Sequence, residues 1–160
     1  MVRRLTAPAC YNAAMERIAQ VTCEFTFEAS HQLRRDDWSD AENDAVFGSC
    51  VRLHGHSYRL VVTVRGPIDE RTGMVLNFRD LKRIVDQQVI DRLDHRHVND
   101  VLGELATAEN LCYWIGTRLT PELGPLLQRV ELWETRSAFA ALGDEELRAI
   151  RAAAEPAIVT

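Results

Sequence analysis

Residues 53–65, LHGHSYRLVVTVR, are the stretch on which the fold turns. Their second half is β-branched and Gly66-Pro67 closes them, so they read as the strongest strand in the chain. Upstream, Phe25, Phe27, Ala29 and His31 alternate with Glu24, Thr26, Glu28 and Ser30, the period-2 signature of a half-buried strand that opens at Val21. Downstream, residues 68–73 turn the chain. Asn77 then offers an N-cap with Asp80 three residues on, and Leu81, Ile84, Val85, Val89 and Leu93 follow at helical spacing. A second helix starts at Thr107, with Glu109 in its first turn and a stripe of Leu111, Trp114, Ile115 and Leu119. Thr120-Pro121 and Gly124-Pro125 are expected to stop it. Residues 127–135 alternate as a third strand, residues 137–142 suit a short fourth, and a terminal helix from Asp144 to Ala154 is stopped by Pro156.

Two segments carry no such pattern. Residues 34–49, RRDDWSDAENDAVFGS, are acidic and aperiodic and read as a long loop. Residues 1–20 read as a mixed polar N-terminal extension with a frayed helical turn, leaving 21–160 as a single domain. The element order predicts an α+β domain: a four-stranded antiparallel sheet, two helices packed on one face, and a C-terminal helix. Such a sheet leaves two open edges, which self-association would cover.

Composition narrows the function. The 160 residues are 46% hydrophobic and 27% charged, an ordinary globular balance. A formal net charge of -5 with both signs mixed along the chain argues against nucleic acid as the main partner. No apolar run is long enough for a membrane span or a signal core, so a cytoplasmic protein is expected. Cys10, Cys23, Cys50 and Cys112 are widely spaced, which disfavours a disulfide framework or an all-Cys zinc site. The five histidines all fall between positions 31 and 97.

That clustering invites a metal reading. Along a strand His54 and His56 point to one face, and Gly55 between them leaves the other face open to close backbone approach. If the first two strands pair as a hairpin, His31 joins them, and three imidazoles with an open fourth position suit a catalytic zinc. Solvated or hydrogen-bonded strand histidines are the competing reading. Cys50, four residues before His54, suits a base or nucleophile near a metal, or else a small buried hydrophobe. Asp94-His95 suits a proton relay, or simply a helix C-terminus favoured by His95, Arg96 and His97 through the dipole. Glu134 ends the third strand where alternation puts a site-facing residue, or a solvated strand end.

Taken together and in order, the motifs resemble one family. They are His31 in FEASH, Cys50-x-x-x-His54-Gly55-His56, Gly73-Met74-Val75 running into Asn77-Phe78 and Asp80-Leu81-Lys82, Leu93-Asp94-His95, Thr107-Ala108-Glu109-Asn110, and Trp133-Glu134-Thr135. This set, spanning residues 23–136, resembles the 6-pyruvoyl-tetrahydropterin synthase / 6-carboxytetrahydropterin synthase family. The resemblance implies the tunnelling fold, assembled as a homohexamer from two stacked trimers. It implies zinc on His31, His54 and His56, and 7,8-dihydroneopterin triphosphate as the small-molecule substrate. It also implies Cys50 as the proton-abstracting base, Asp94 and His95 as a relay supplied across a subunit interface, and Glu134 as the pterin anchor, with Thr107 and Glu109 completing that pocket. The three-residue gap between Cys50 and His54 resembles the carboxy-forming branch, which releases acetaldehyde and triphosphate and serves deazapurine (queuosine-type) biosynthesis. The segment 39–50 and Asn77 resemble the pyruvoyl-forming branch, which retains the side chain. A non-catalytic pterin- or metal-binding oligomer is the alternative of another class.

Overall fold

The computed structural model of the chain describes residues 16–154. Most of the N-terminal extension, with Cys10, and the Pro156 stop lie outside the described residues. Strand β1 (Ile18–His31) opens three residues before Val21, so the last part of the expected extension belongs to the sheet. It pairs antiparallel with β2 (His54–Pro67) over its whole length, from Ile18 opposite Pro67 to His31 opposite His54. This register is the one that puts Cys23, Phe25 and Phe27 across from Val62, Leu60 and Tyr58. A slip by one residue would turn every apolar side chain of β1 to water.

Helix α1 (Asp40–Phe47) follows β1, and α2 (Phe78–Val85) follows β2. The Asn77 side chain accepts the Arg79 N–H at 2.9 Å and so caps α2. A wide π-turn over Asp86–Ile90 joins α2 to α3 (Asp91–Leu93). Leu81, Val85, Val89 and Leu93 recur every fourth residue, a spacing that drifts around an α-helix of 3.6 residues per turn. The wider turn restores phase, and all four side chains are fully buried. Then come β3 (Arg96–His97), α4 (Val98–Leu102), α5 (Ala108–Leu123), β4 (Leu127–Trp133), β5 (Phe139–Leu142) and α6 (Asp144–Ala154).

Three expectations are corrected. The sheet has five strands, in the order β3-β1-β2-β4-β5, because the two-residue β3 adds to β1 in parallel. Two residues are too few to leave a periodic signal. The expected loop 34–49 contains α1, held by a capping box between Ser39 and Glu42 rather than by an apolar stripe. Pro121 lies inside α5, which runs on to Leu123 and ends at Gly124. Proline this close to a helix end removes only one backbone bond, and Leu123 is buried in the core.

The core lies on one side of the sheet. Leu60, Val62, Val64, Val130 and Leu132 meet Leu81, Val85, Leu111, Ile115 and Leu119 from the helices, with Leu147 and Ile150 of α6 beyond. The other side is polar: Thr22 and Thr63 share a hydroxyl hydrogen bond at 2.9 Å, and Arg59 pairs with Glu24 at 3.1 Å while stacking over Trp133.

Candidate active site

Strand alternation and the β1–β2 register place three imidazoles together at one end of the hairpin, on its core-facing side. His31 and His54 are opposite one another, and His56 is opposite Ala29. The rings lie 4.5 to 5.1 Å apart centre to centre, and one nitrogen from each falls within 4.8 Å of the other two. Gly55 eases this pairing, since a Cβ there would sit a tight 3.0 Å from the Ala29 carbonyl oxygen.

The rings are held for ligation. His31, only 1% exposed, has its Nδ1 2.7 Å from the carbonyl of Ala106, and His54 Nδ1 is 2.7 Å from the carbonyl of Arg52. A carbonyl can only accept, so each Nδ1 carries the proton and each Nε2 keeps its lone pair. The Nε2 atoms of His31 and His56 are buried and make no hydrogen bond. Glu134 Oε1 lies 3.2 and 3.5 Å from them, but neither contact is aligned as a hydrogen bond. Burial pushes the His56 pKa below its usual 6.5, assisted by His31 and His54 and opposed by Glu134. Its neutral, metal-ready form is therefore favoured. Buried nitrogens without donors on His31 and His56, with the His31 and His54 rings fixed from behind, suit a metal. The chemistry of the set suits a borderline divalent ion.

The remaining expected residues fall into two groups. Near the imidazoles are Glu134, just past β4, and Thr107, whose hydroxyl caps α5 through the Asn110 N–H one residue after the carbonyl that orients His31. Glu109 is exposed in the first turn of α5. Cys50 is a free thiol in the 3-10 turn Gly48–Val51, and its carbonyl accepts the Leu33 N–H at 2.8 Å. It therefore sits at the imidazole end of the hairpin, tied to the residue two beyond His31.

Asp94 and His95 are elsewhere. Asp94 Oδ1 accepts the Glu28 N–H at 2.9 Å, the His95 N–H donates to the Glu28 carbonyl at 2.6 Å, and Asp94 Oδ2 meets His95 Nδ1 at 3.0 Å. The Glu28 N–H, then His95, hold the Asp94 pKa below the ordinary carboxylate value. His95 is the one non-glycine residue with positive φ (57°) among the described residues, a conformation this clamp maintains. His95 faces a cavity of about 500 Å³ lined also by Glu28, Ser30, Ser57 and His97 and by the Gly55-His56 segment of β2. No hydrogen bond, ion pair or ring contact among the described residues joins the Asp94–His95 pair to His31, His54 or His56. His97, which the sequence left without a role, is 3.5 Å from Ser30 Oγ.

Sequence reasoning missed the groups that fix the site from behind. Ala106 and Arg52 act through backbone carbonyls, which no side-chain pattern reveals. Asn99 brackets Gln32, accepting its N–H at 3.0 Å and donating to its carbonyl at 2.9 Å, so the segment after Asp94-His95 is stitched to the residue following His31. Its place in LDHRHVND was the one available signal.

These features define a metal-binding α+β domain of the tunnelling-fold class. The sequence profile described as 6-pyruvoyl tetrahydropterin synthase matches residues 20–145. The 6-pyruvoyl tetrahydrobiopterin synthase of Dictyostelium discoideum is 38% identical over 129 residues, covering 78% of this chain and 96% of that protein. The 6-carboxy-5,6,7,8-tetrahydropterin synthase of Synechocystis sp. is 39% identical over 122 residues, covering 73% and 87%. Among solved structures, the Caenorhabditis elegans 6-pyruvoyl tetrahydropterin synthase superposes with a TM-score of 0.75 at 28% identity, covering 81% and 98%. The chain belongs to the 6-pyruvoyl tetrahydropterin synthase family.

Proposed function

We propose that this chain is a zinc-dependent 6-carboxy-5,6,7,8-tetrahydropterin synthase. It converts 7,8-dihydroneopterin triphosphate to 6-carboxytetrahydropterin, releasing acetaldehyde and triphosphate, within deazapurine (queuosine-type) biosynthesis. Enzymes of the family are lyases acting on dihydroneopterin triphosphate. The observation that carries the carboxy-forming choice is the short Cys50-x-x-x-His54-Gly55-His56 segment. Its middle residue, Arg52, supplies the carbonyl that orients His54, so thiol turn and ligand form one short unit.

His31, His54 and His56 would hold the zinc, which when bound supplies Lewis acidity toward the substrate's side-chain oxygens. Cys50 takes the proton released next to them. Glu134 accepts hydrogen bonds from the pterin ring N–H groups, and Thr107 and Glu109 complete that end of the pocket. Asp94 and His95 lie away from the imidazoles of their own chain, which supports a relay supplied to a neighbouring copy. The open edges of β1 and β5 support the homo-oligomer this requires, a hexamer built as a dimer of trimers. No helix among the described residues is long and apolar enough to cross a membrane, and the proposed setting is the cytoplasm.

A second reading is 6-pyruvoyl-tetrahydropterin synthase activity, favoured by the Dictyostelium relative and its coverage. Incubation of the purified protein with dihydroneopterin triphosphate separates the readings. Acetaldehyde in step with triphosphate supports the first; triphosphate without acetaldehyde supports the second. Zinc-loaded protein that consumes no substrate would leave a non-catalytic pterin- or metal-binding oligomer.

A further inference from the structure

Between His31 and Tyr58 the only buried residue is a polar one, Asn43. The lobe formed by this part of the chain, which delivers Cys50, has no apolar core of its own. Asn43 Oδ1 accepts the Arg35 N–H at 2.8 Å, and its Nδ2 donates to the carbonyls of Arg35, Trp38 and Ser39 at 3.0, 3.3 and 3.0 Å. One amide thus welds the leg leaving β1 to helix α1. From there the connection to Cys50 is short and stiff. Trp38 stacks on Phe47 at 5.8 Å, Gly48 N–H closes α1 on the Asp44 carbonyl, and the next turn carries Cys50, whose own carbonyl is tied to Leu33.

We propose that Asn43 is the positioning residue for Cys50: its buried amide serves as the lobe's core and sets where the thiol stands relative to the imidazoles. This rests on the reading of Cys50 as the proton-abstracting base. A buried amide with both ends satisfied fixes one arrangement, because any other leaves polar groups unpaired. His31 is held by Ala106, outside the lobe, and His54 and His56 are fixed in β2 by its pairing with β1, so removing Asn43 displaces the thiol more than the ligand set.

The test is a double-mutant cycle on the zinc-loaded protein with dihydroneopterin triphosphate as substrate. N43A is expected to keep one zinc per chain and a KM within about twofold of wild type, while kcat falls roughly 30- to 100-fold, the scale of a misplaced catalytic group. N43A/C50A is expected to match C50A within about twofold, since a residue acting through Cys50 has nothing left to act on. Ser39→Ala loosens the same helix start without opening a buried hole, and is expected to lower kcat about threefold at unchanged zinc; it decides the matter if N43A does not fold. An inactive C50A beside a fully active N43A or S39A overturns this inference alone. So does a double variant slower than C50A by the full N43A factor, or a kcat loss that tracks zinc loss. An active C50A overturns the reading of Cys50 on which it stands.

Discussion

The two sides of the β1–β2 hairpin are made from alternate residues of the same strands, yet they are built for opposite purposes. On the core-facing side His31, Ala29 and Phe27 meet His54, His56 and Tyr58; the His31 and His54 rings are fixed from behind by carbonyls, and His31 is buried. On the outward side Glu24, Glu28, Arg59 and Ser57 form an open polar ladder, beside which Asp94 and His95 are clamped to the Glu28 backbone. Burial on the first side favours neutral, lone-pair-bearing nitrogen; exposure on the second leaves charge cheap to hold. A single chain therefore sets the three imidazoles and the Asp94–His95 pair on opposite sides of the hairpin. Under the proposed relay, bringing them together is work for a neighbouring copy.

The comparison breaks most sharply at His54. His54→Ala should abolish turnover and weaken zinc binding by more than the roughly 10- to 100-fold that loss of an orienting partner costs, as read by metal titration against a chelator. Stoichiometric zinc in that variant would remove His54 from the ligand set. His95→Ala should retain full zinc and lose roughly 100-fold or more in kcat. Mixing and reassembling it with His54→Ala should recover about a quarter of wild-type activity, because one site in four then takes both intact residues from different copies. No recovery would mean that the two sides serve the same chain.

Smaller effects sharpen the boundary. Gly55→Ala presses a methyl group onto the Ala29 carbonyl and should destabilise the zinc-free protein by about 1–2 kcal/mol, read as a lower Tm. Titration gives the subtlest test. The Asp94 pKa is depressed in the folded chain, so its clamp is fully present above the ordinary carboxylate value of 3.8 and is lost only as pH falls through the lower folded value. The Glu28 amide signal followed by NMR should stay unchanged down to about pH 4 and move below it.

Much of this was legible in the sequence. The period of two in β1 and β2, with apolar residues on one phase, marks both strands and puts His54 and His56 on one face; the hairpin that brings His31 to them was a condition the observed register meets. Helices α2 and α5 announced themselves by caps and stripes, and α6 by its range ahead of Pro156. Helix α1 did not, because its only buried side chain is Asn43 and a polar anchor has no periodicity to detect. Strand β3 was too short, and the π-turn in the middle of the α2–α3 run is invisible to a 3.6-residue template. At the site, Glu134 was placed by alternation, but its approach to the His31 and His56 rings depends on how β4 ends. The separation of Asp94-His95 from the imidazoles depends on Glu28, which lies 66 positions away in sequence. Contacts of that range are properties of the folded chain.

One feature bears on how the protein must be handled. Beyond Ala29 and Ser30, which pair with β3, the outer edge of β1 from Ile18 to Phe27 has no strand beside it among the described residues, and neither has the far edge of β5. A lone chain in dilute solution is then the hazardous species, with backbone groups ready to pair with whatever strand arrives first. Concentration becomes a control variable in its own right. Specific activity should rise with protein concentration until assembly is complete, and preparations kept too dilute should be lost to irregular aggregates before heat unfolds them.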